Sequence, residues 1–293
     1  MDLRYYMNEY FRLERWEIPA ADGDGGFSAF GGRMPLDDHH RGAGGGMRTG
    51  ALLTNLDSVG GILAGLSVLP RWIVTTSLMA TVTRLDHRGP LRAHGRVLRR
   101  GRNSVVAGLQ VVDEGRDDVL VAACTGTFAV LDPRDDMTLE FTRPAVVPMP
   151  PPMADTPAPE EFFHIEPGTG TTTRLRLADH LRNPWGILHG GAMAVLVDVA
   201  ACRAAASPGT PDGTGAAGEA GTPGPTRPDR GVAGLAAADT VLHYVRPVRV
   251  GPVEARCRLV GGVPGRTLVR VAVHDLGADD RLVSLGSVVV LAV

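Results

Sequence analysis

The pattern of apolar and polar positions divides the chain into two similar halves. In each half one long apolar segment, at about 48–66 and about 189–206, has the length and composition of a buried helix. Four stretches rich in alternating apolar residues follow each segment, as in half-buried strands: 71–85, 90–100, 103–114 and 118–131, then 231–248, 252–261, 266–276 and 281–293. Each half is therefore predicted to be an α+β unit, with one helix packed on a curved antiparallel sheet.

An internal repeat supports this division. Residues 33–57 align without a gap on residues 174–198, which lie 141 positions later. The alignment pairs Arg33 with Arg174, Leu36 with Leu177, Asp38 with Asp179, His39 with His180, Gly45 with Gly186, Gly50 with Gly191 and Asp57 with Asp198. Farther along, residues 89–106 resemble 251–269 at a starting offset of 162, so the second half is predicted to carry an insertion after its helix.

Two segments rich in proline and glycine mark the breaks in this pattern. Residues 207–230 lack any hydrophobic period and are predicted to form a disordered surface insertion. Residues 144–160 are proline-rich and are predicted to form an extended, semi-rigid linker. The expected organisation is an N-terminal unit at 1–143, the linker, and a C-terminal unit at 161–293.

Composition narrows the class of protein. A formal net charge of −2 with 5% aromatic residues argues against a nucleic-acid-binding surface, which needs a basic excess and stacking rings. The N-terminus lacks an apolar signal core, and no run is expected to approach the roughly 18 apolar residues of a membrane span. The three cysteines form no metal or redox motif and are expected to be buried and reduced. We expect a cytoplasmic protein without a nucleic-acid or membrane partner.

Metal and cofactor motifs are also missing. The run Asp-Asp-His-His at 37–40 could in principle hold a metal, but Asp38 and His39 recur as Asp179 and His180 without further ligands. We therefore expect a loop or strand-end role for this run. No nucleophile elbow, phosphate loop or dinucleotide fingerprint occurs, and neither a metal nor a cofactor is predicted.

A cluster of small and polar residues opens the second apolar helix. It consists of Asn183, Gly186, His189, Gly190 and Gly191, followed by an acid in the apolar segment, Asp198. The spacing Asn-x-x-Gly-x-x-His-Gly-Gly with a later Asp resembles the hotdog-fold acyl-CoA thioesterases of the phenylacetate-degradation type. The resemblance is close over 174–256 and looser over 33–131. It implies a tandem double hotdog, with each curved sheet wrapped around its central helix.

The chemistry of these residue types agrees with that resemblance. Gly190 and Gly191 leave backbone N–H groups free at the positive end of a helix, where a thioester carbonyl that gains negative charge can be stabilised. Glycines also allow close approach of a substrate, so Gly186 and Gly191 are predicted to contact it. Asn183 can hydrogen-bond a water or a carbonyl, and His189 can position the loop or the thioester.

The acid inside the second helix cannot serve its own helix start. Asp198 lies nine residues after His189, which is about 13 Å along a helix. In the resembled family two units pair, and each site takes its glycine loop from one unit and its acid from the other. The resemblance also implies a Ser or Thr on the next strand, which is Thr75 in the first half and Ala237 in the second. One complete site would therefore join Asp57 and Thr75 to the loop of the second half.

The other possible site departs from the pattern. Gly42, Arg48 and Thr49 stand where the second half has Asn183, His189 and Gly190. This second site is predicted to be degenerate, with Asp198 retained as a partner of Arg48.

These residues predict an acyl-CoA thioesterase with one composite site. Asp57 would act as a general base on water, or as a nucleophile through an anhydride, while the Gly190 amide stabilises the oxyanion. Two alternatives stay open: a hotdog hydratase of enoyl thioesters, and a non-catalytic protein that binds acyl thioesters. The fused units form a pseudo-dimer within one chain, which could associate further into a homo-oligomer.

Overall fold

The computed structural model describes residues 6–18, 29–132, 147–183, 185–207 and 234–293. The insertion predicted at 207–230 lies outside the described residues from position 208 onward. The beginning of the linker predicted at 144–160 also lies outside them, up to residue 146. The predicted unit boundaries therefore stay predictions.

The first unit surrounds one long helix with strands. Its elements are α1 (Tyr6–Tyr10), β1 (Glu14–Ile18), β2 (Ala29–Met34), α2 (Thr49–Val68), β3 (Trp72–Val82), β4 (Leu91–Arg100), β5 (Ser104–Asp113) and β6 (Val119–Leu131). The second unit repeats this order. Its elements are α3 (Pro159–Phe162), β7 (Ile165–Pro167), β8 (Thr172–Leu175), α4 (Gly190–Ala206), β9 (Leu235–Tyr244), β10 (Val253–Val263), β11 (Arg266–Asp275) and β12 (Arg281–Ala292).

The strands of both units form one antiparallel sheet. Within the described residues it has twelve strands in the order β1-β2-β4-β5-β6-β3-β9-β12-β11-β10-β8-β7. At its centre β3 pairs with β9, where Ser77 lies opposite His243 and Ala80 opposite Thr240. The two units therefore share a continuous backbone ladder as well as the contact between their helices.

Burial on several sides explains why the two long helices are so apolar. Helix α2 contacts the strands of its own unit and helix α4, and its leucines Leu52, Leu53, Leu56 and Leu63 are fully buried. By length and composition alone, α2 is long and apolar enough to cross a membrane. However, 72% of its most apolar window is buried inside the protein, so core packing accounts for its composition.

Both long helices and the eight long strands form where the hydrophobic pattern predicts them, with ends that differ by a few residues. The short helices α1 and α3 were not anticipated, because four or five residues are too few to show a helical period. They join the units at one end, where the Tyr10 ring stacks on Phe162 with centroids 3.9 Å apart.

Candidate functional site

Helices α2 and α4 run antiparallel, so the acid of each lies at the start of the other. The N–H of Gly50, in the first turn of α2, donates to Asp198 Oδ2 at 3.0 Å. At the start of α4, a Cβ placed on Gly190 would lie 2.6 Å from Asp57 Oδ2. The residues that were expected to meet across the two units are therefore adjacent, and any side chain at position 190 would displace the Asp57 carboxylate.

The Asp57 carboxylate is buried between residues of both units. Thr75 Oγ1, on β3, donates a hydrogen bond to Asp57 Oδ1 at 2.7 Å. His189 Nδ1 lies 3.8 Å from Asp57 Oδ2, and the side chain of Asp57 is only 7% exposed. Asp57 and Thr75 come from the first unit, whereas His189 and Gly190 come from the second, so the group is composite.

Burial also sets the protonation of Asp57. Desolvation raises the pKa of Asp57 above its usual 3.8, although the nearby His189, the Thr75 hydroxyl and the Gly191 N–H each lower it in part. A carboxylate with a raised pKa holds a proton more strongly than an exposed one. Asp57 is therefore better suited than a surface aspartate to take a proton from water.

His189 caps helix α4 with its own ring. The N–H of Gly191 donates to His189 Nδ1 at 2.9 Å, which places the proton of the neutral imidazole on Nε2. Burial lowers the pKa of His189, while Asp57 raises it and Arg15 lowers it further. A neutral imidazole with a donor at Nε2 can hold a substrate carbonyl or a water without adding a positive charge.

Gly190 supplies an unused backbone donor beside this group. It is the first residue of α4, and its N–H has no hydrogen-bond partner within the described part of the chain. Its carbonyl accepts a hydrogen bond of 2.9 Å from the hydroxyl of Tyr244, at the end of β9. Sequence reasoning missed Tyr244 as a site residue. The sequence shows an aromatic residue directly before Val-Arg-Pro, but the pattern alone does not assign a role to it.

The remaining residues predicted to bind substrate have other roles. Asn183 reaches the cavity, yet its Oδ1 accepts the N–H groups of Trp185 and Ile187 at 3.0 and 3.3 Å and so shapes the loop. Gly186 adopts a left-handed φ of 69° in the exposed turn, which explains a glycine there. Gly191 packs against Thr54 of α2. Neither Gly186 nor Gly191 is among the residues that line the cavity, and their contact with substrate stays a prediction.

A cavity of about 780 Å³ opens beside Asp57 between the two units. Residues of α2, β3 and the end of β6 form one wall, and the 183–190 loop with residues 244–249 forms the other. Trp72 and Trp185 meet across it, with ring centroids 5.4 Å apart. The volume is in the range of small-molecule sites, and most of its lining is apolar with a few polar groups near Asp57.

The equivalent site at the start of α2 has different contents. A cavity of about 310 Å³ there is lined by Asp198, Arg48, Glu160 and Ala237, among others. Thr49, in place of Gly190, donates its hydroxyl to the carbonyl of Ala237 at 2.5 Å and so fills the corner that stays open in the first site.

Arg48 acts on Asp198 through its charge, but its direct ion pair within the described residues is with another carboxylate. Arg48 Nη1 lies 3.2 Å from Glu160 Oε1, and this carboxylate is its direct partner. Burial raises the pKa of Asp198, while the Gly50 N–H and, after it, the charge of Arg48 lower it in part. Asp198 is thus held mainly by a backbone group. No alignment of the two halves could show Glu160, because it lies before the region where they match.

The polar run at 37–40 has its donor atoms already engaged. Asp37, His39 and His40 bring their ligand atoms within 4.8 Å of one another. However, Asp37 Oδ2 accepts from Arg12 Nη1 at 2.9 Å, and both imidazoles hydrogen-bond backbone carbonyls, that of Tyr10 among them. A guanidinium beside the acid opposes a metal cation, so the geometry favours the expected structural role.

Comparisons with known proteins agree with this architecture. A family model described as the thioesterase superfamily matches residues 186–275. The tesB protein of Mycobacterium avium subspecies paratuberculosis aligns with 92% of this chain and 95% of its own, at 13% identity and a TM-score of 0.55. An acyl-CoA thioesterase II from Mycobacterium marinum aligns with 98% of both chains, at 15% identity and a TM-score of 0.54. Both halves of this chain are hotdog units.

A third solved structure, a conserved protein with a hot dog fold from Alicyclobacillus acidocaldarius, also covers 98% of both chains, at 13% identity and a TM-score of 0.50. At such identities these similarities establish the fold. The curated proteins give no sequence match. The family match lies within the second unit and contains His189 and Gly190, the loop that faces Asp57.

Proposed function

We propose that the protein hydrolyses acyl thioesters of coenzyme A at one composite site between its two units. The observation that carries the proposal is the meeting of Asp57 and Thr75 with His189 and the free N–H of Gly190 on the wall of one cavity. The thioesterase family match over residues 186–275 supports the same reaction class.

The reaction follows from the placement of these groups. The thioester carbonyl oxygen accepts the Gly190 N–H, aided by the positive end of α4. Asp57 takes a proton from a water as the water oxygen attacks the carbonyl carbon. When the tetrahedral intermediate collapses, the carbon–sulfur bond breaks and the thiolate receives the proton held by Asp57. The products are a free acid and a thiol.

A nucleophilic route through Asp57 uses the same atoms. The carboxylate would attack the carbonyl, expel the thiolate and form a mixed anhydride that water then opens. Turnover in water labelled with heavy oxygen separates the routes. Only the anhydride route can leave label in the Asp57 side chain or pass one of its own oxygens to the product.

The rim of the cavity suits the polar part of coenzyme A. Arg246 and Arg249 are exposed on the second-unit side of the opening, where they can reach phosphate groups. The apolar wall formed by α2 and β3 belongs to the first unit and faces these arginines across the cavity. A thioester bound with its carbonyl at Gly190 would therefore direct its acyl group to the first unit and its nucleotide to the second.

The proposal can be tested with a panel of acyl-CoA and aryl-CoA thioesters. The assay measures the release of thiol and identifies the acid that is formed. We expect free acid and coenzyme A in equal amounts. A 3-hydroxyacyl thioester formed from an enoyl substrate would instead indicate the hydratase. Binding of every substrate without turnover would indicate a non-catalytic protein. Because both halves of the site are in one chain, turnover per chain should not depend on protein concentration.

A further inference from the structure

The cavity beside Asp57 extends well past the catalytic group. Along α2 its lining continues from Asp57 through Ser58, Gly61 and Ile62 to Gly65. Asp57, Gly61 and Gly65 are four residues apart, so they lie on one face of the helix. From Asp57 to Gly65 this strip is about 12 Å long. The two glycines leave that face of the helix without side chains.

The opposite side of this arm is apolar. It is formed by Trp72, Ile73 and Val74 of β3, with Leu131 at the end of β6. Ile73 and Gly65 are buried, whereas Leu131 is 38% exposed, so the arm runs from the buried carboxylate toward the surface. An arm of this length, lined mainly by glycines and apolar side chains, matches an extended alkyl chain better than a single ring, which would occupy only its inner part.

The second unit shows what closes such an arm. At the α2–α4 offset, Cys202 and Ala206 stand where the first unit has Gly61 and Gly65. The Cys202 thiol lies 3.9 Å from Asp198 Oδ1, and the described lining of the smaller cavity includes Cys202 but nothing beyond it on α4. The two cavities have volumes of about 780 and 310 Å³. In the second unit, side chains at the two glycine positions therefore coincide with a smaller cavity that does not extend along the helix past Cys202 within the described residues.

On this basis we infer that the arm between Gly61, Gly65 and the Trp72–Val74 strand binds a linear alkyl chain. We also infer that the absence of a side chain at Gly61 determines how strongly kcat/KM depends on the length of that chain. The inference rests on the proposed thioesterase reaction, which places the acyl carbonyl at Gly190. With carbon–carbon bonds of about 1.5 Å, an extended chain of about eight to ten carbons fills the strip from Asp57 to Gly65. Medium-length fatty acyl thioesters are therefore the substrate class.

Substitution of Gly61 tests this directly. A Cβ at position 61 would lie 3.8 Å from Ile73 Cδ1 and 4.0 Å from Phe128 Cε1, which are ordinary contacts, and the helix interior gains propensity when glycine is replaced. Gly61→Ala should therefore fold, and melting curves of both Gly61→Ala and Gly61→Leu separate a loss of stability from a loss of chain-length preference. The matched control is Cys202→Ala, at the equivalent position of the degenerate site.

The measurement is kcat/KM against butanoyl-, octanoyl-, decanoyl- and phenylacetyl-CoA. Each methylene buried in the arm improves binding by about threefold to fourfold. Decanoyl-CoA has six more methylenes than butanoyl-CoA, and burial of only three of them should already raise kcat/KM in the wild type by about 30-fold. Gly61→Leu should lower kcat/KM for decanoyl-CoA by at least about tenfold and change that for butanoyl-CoA by less than about threefold. For decanoyl-CoA, the kcat/KM of Gly61→Ala should lie between the values of the wild type and Gly61→Leu. The kcat/KM of Cys202→Ala should match that of the wild type for every substrate.

Two failures can be told apart. If no thioester is hydrolysed, the proposed function fails. If thioesters are hydrolysed but the chain-length profile is flat, favours phenylacetyl-CoA, or stays unchanged in Gly61→Leu, the alkyl arm is wrong and the thioesterase stands. Binding of decanoyl-CoA and butanoyl-CoA to Asp57→Asn, followed by the fluorescence of Trp72 and Trp185, measures the same preference without turnover. Equal affinity for the two ligands would also overturn the inference.

Discussion

At the scale of single residues, two aspartates in equivalent places have different surroundings. Asp57 is held by the Thr75 hydroxyl and lies beside His189 and the free N–H of Gly190. Asp198 accepts the Gly50 N–H, and the strand residue that corresponds to Thr75 is Ala237. Both carboxylates are buried and have raised pKa values, yet the cavity beside Asp198 is the smaller one and the Thr49 hydroxyl occupies its corner.

Replacement of each aspartate by asparagine should separate chemistry from stability. Asp57→Asn removes the proton acceptor and should lower kcat by about 100-fold or more. Asp198→Asn keeps an oxygen for the Gly50 N–H and should leave kcat within about threefold. Thiol-release rates for the two matched variants measure this. Equal losses would mean that both sites work, and a loss confined to Asp198→Asn would reverse the assignment of the two sites.

The same Asp198→Asn variant should be more stable than the wild type at neutral pH. Burial raises the pKa of Asp198 in the folded state above its usual 3.8, so the folded protein loses stability as the pH rises through that folded pKa and the buried group ionises. Asparagine carries no charge and avoids this loss. Melting temperatures at pH 4 and pH 7 should show the gain at pH 7 and little or none at pH 4. A gain that is equal at both values would contradict the explanation.

Thr75 should act on the protonation of Asp57. Its hydroxyl stabilises the ionised carboxylate, so Thr75→Val should raise the pKa of Asp57 further. Because turnover needs the ionised form, the acid side of the pH profile of kcat/KM should move to higher pH. Thr75→Ser retains the hydroxyl and should keep the wild-type profile. A Thr75→Val profile with an unchanged acid side would show that the bond has no effect on the proton.

At the scale of elements, the approach of α2 to α4 depends on small residues at their crossing. A Cβ on Gly191 would lie 2.5 Å from Thr54 Cγ2, and the Thr54 hydroxyl donates to the carbonyls of Gly50 and Gly191 at 2.9 and 3.2 Å. This close crossing places Asp57 at the first residue of α4. The helix contact and the site geometry are therefore coupled.

A double substitution can measure that coupling. Gly191→Ala should destabilise the protein by about 1–3 kcal/mol through overcrowding and should also lower kcat, because Asp57 and Gly190 are pushed apart. Adding Thr54→Ala removes the obstructing Cγ2 and Oγ1 and should restore part of both losses. Denaturant unfolding and thiol release provide the two readouts. Strictly additive effects on stability would show that the two side chains do not compete for space.

Much of the arrangement of helices and strands could be predicted from the sequence. The long helices and the strands follow from periodicity and an internal repeat. The rise of a helix shows that Asp198 cannot serve its own helix start, and the pairing of Asp57 with the 189–191 loop is what the resemblance to the hotdog thioesterases implies. The Arg48–Glu160 pair, the Tyr244 bond to Gly190 and the place of Gly186 and Gly191 outside the cavity could not. They depend on how side chains from separate elements share space, and a linear pattern does not encode such contacts.

At the scale of the whole molecule, the central β3–β9 ladder and the α2–α4 crossing join the two units into one body, and the proposed composite site takes residues from both. Each half alone lacks part of it: the first has Asp57 and Thr75, and the second has His189, Gly190 and Tyr244. Separately expressed halves should each be inactive toward thioesters, and mixing them should restore turnover if they reassociate. Activity of one half alone would show that the composite site is not required.

The corner filled by Thr49 has a consequence for how such a chain can change over time. In a symmetric pair of identical subunits every substitution occurs twice, so a threonine in place of the loop glycine would spoil both sites together. Here the Thr49 bond to Ala237 affects one site only. In a chain that contains both units, selection on one site therefore does not protect the other. The backbone of the two units can stay symmetric while the chemistry of the two sites differs.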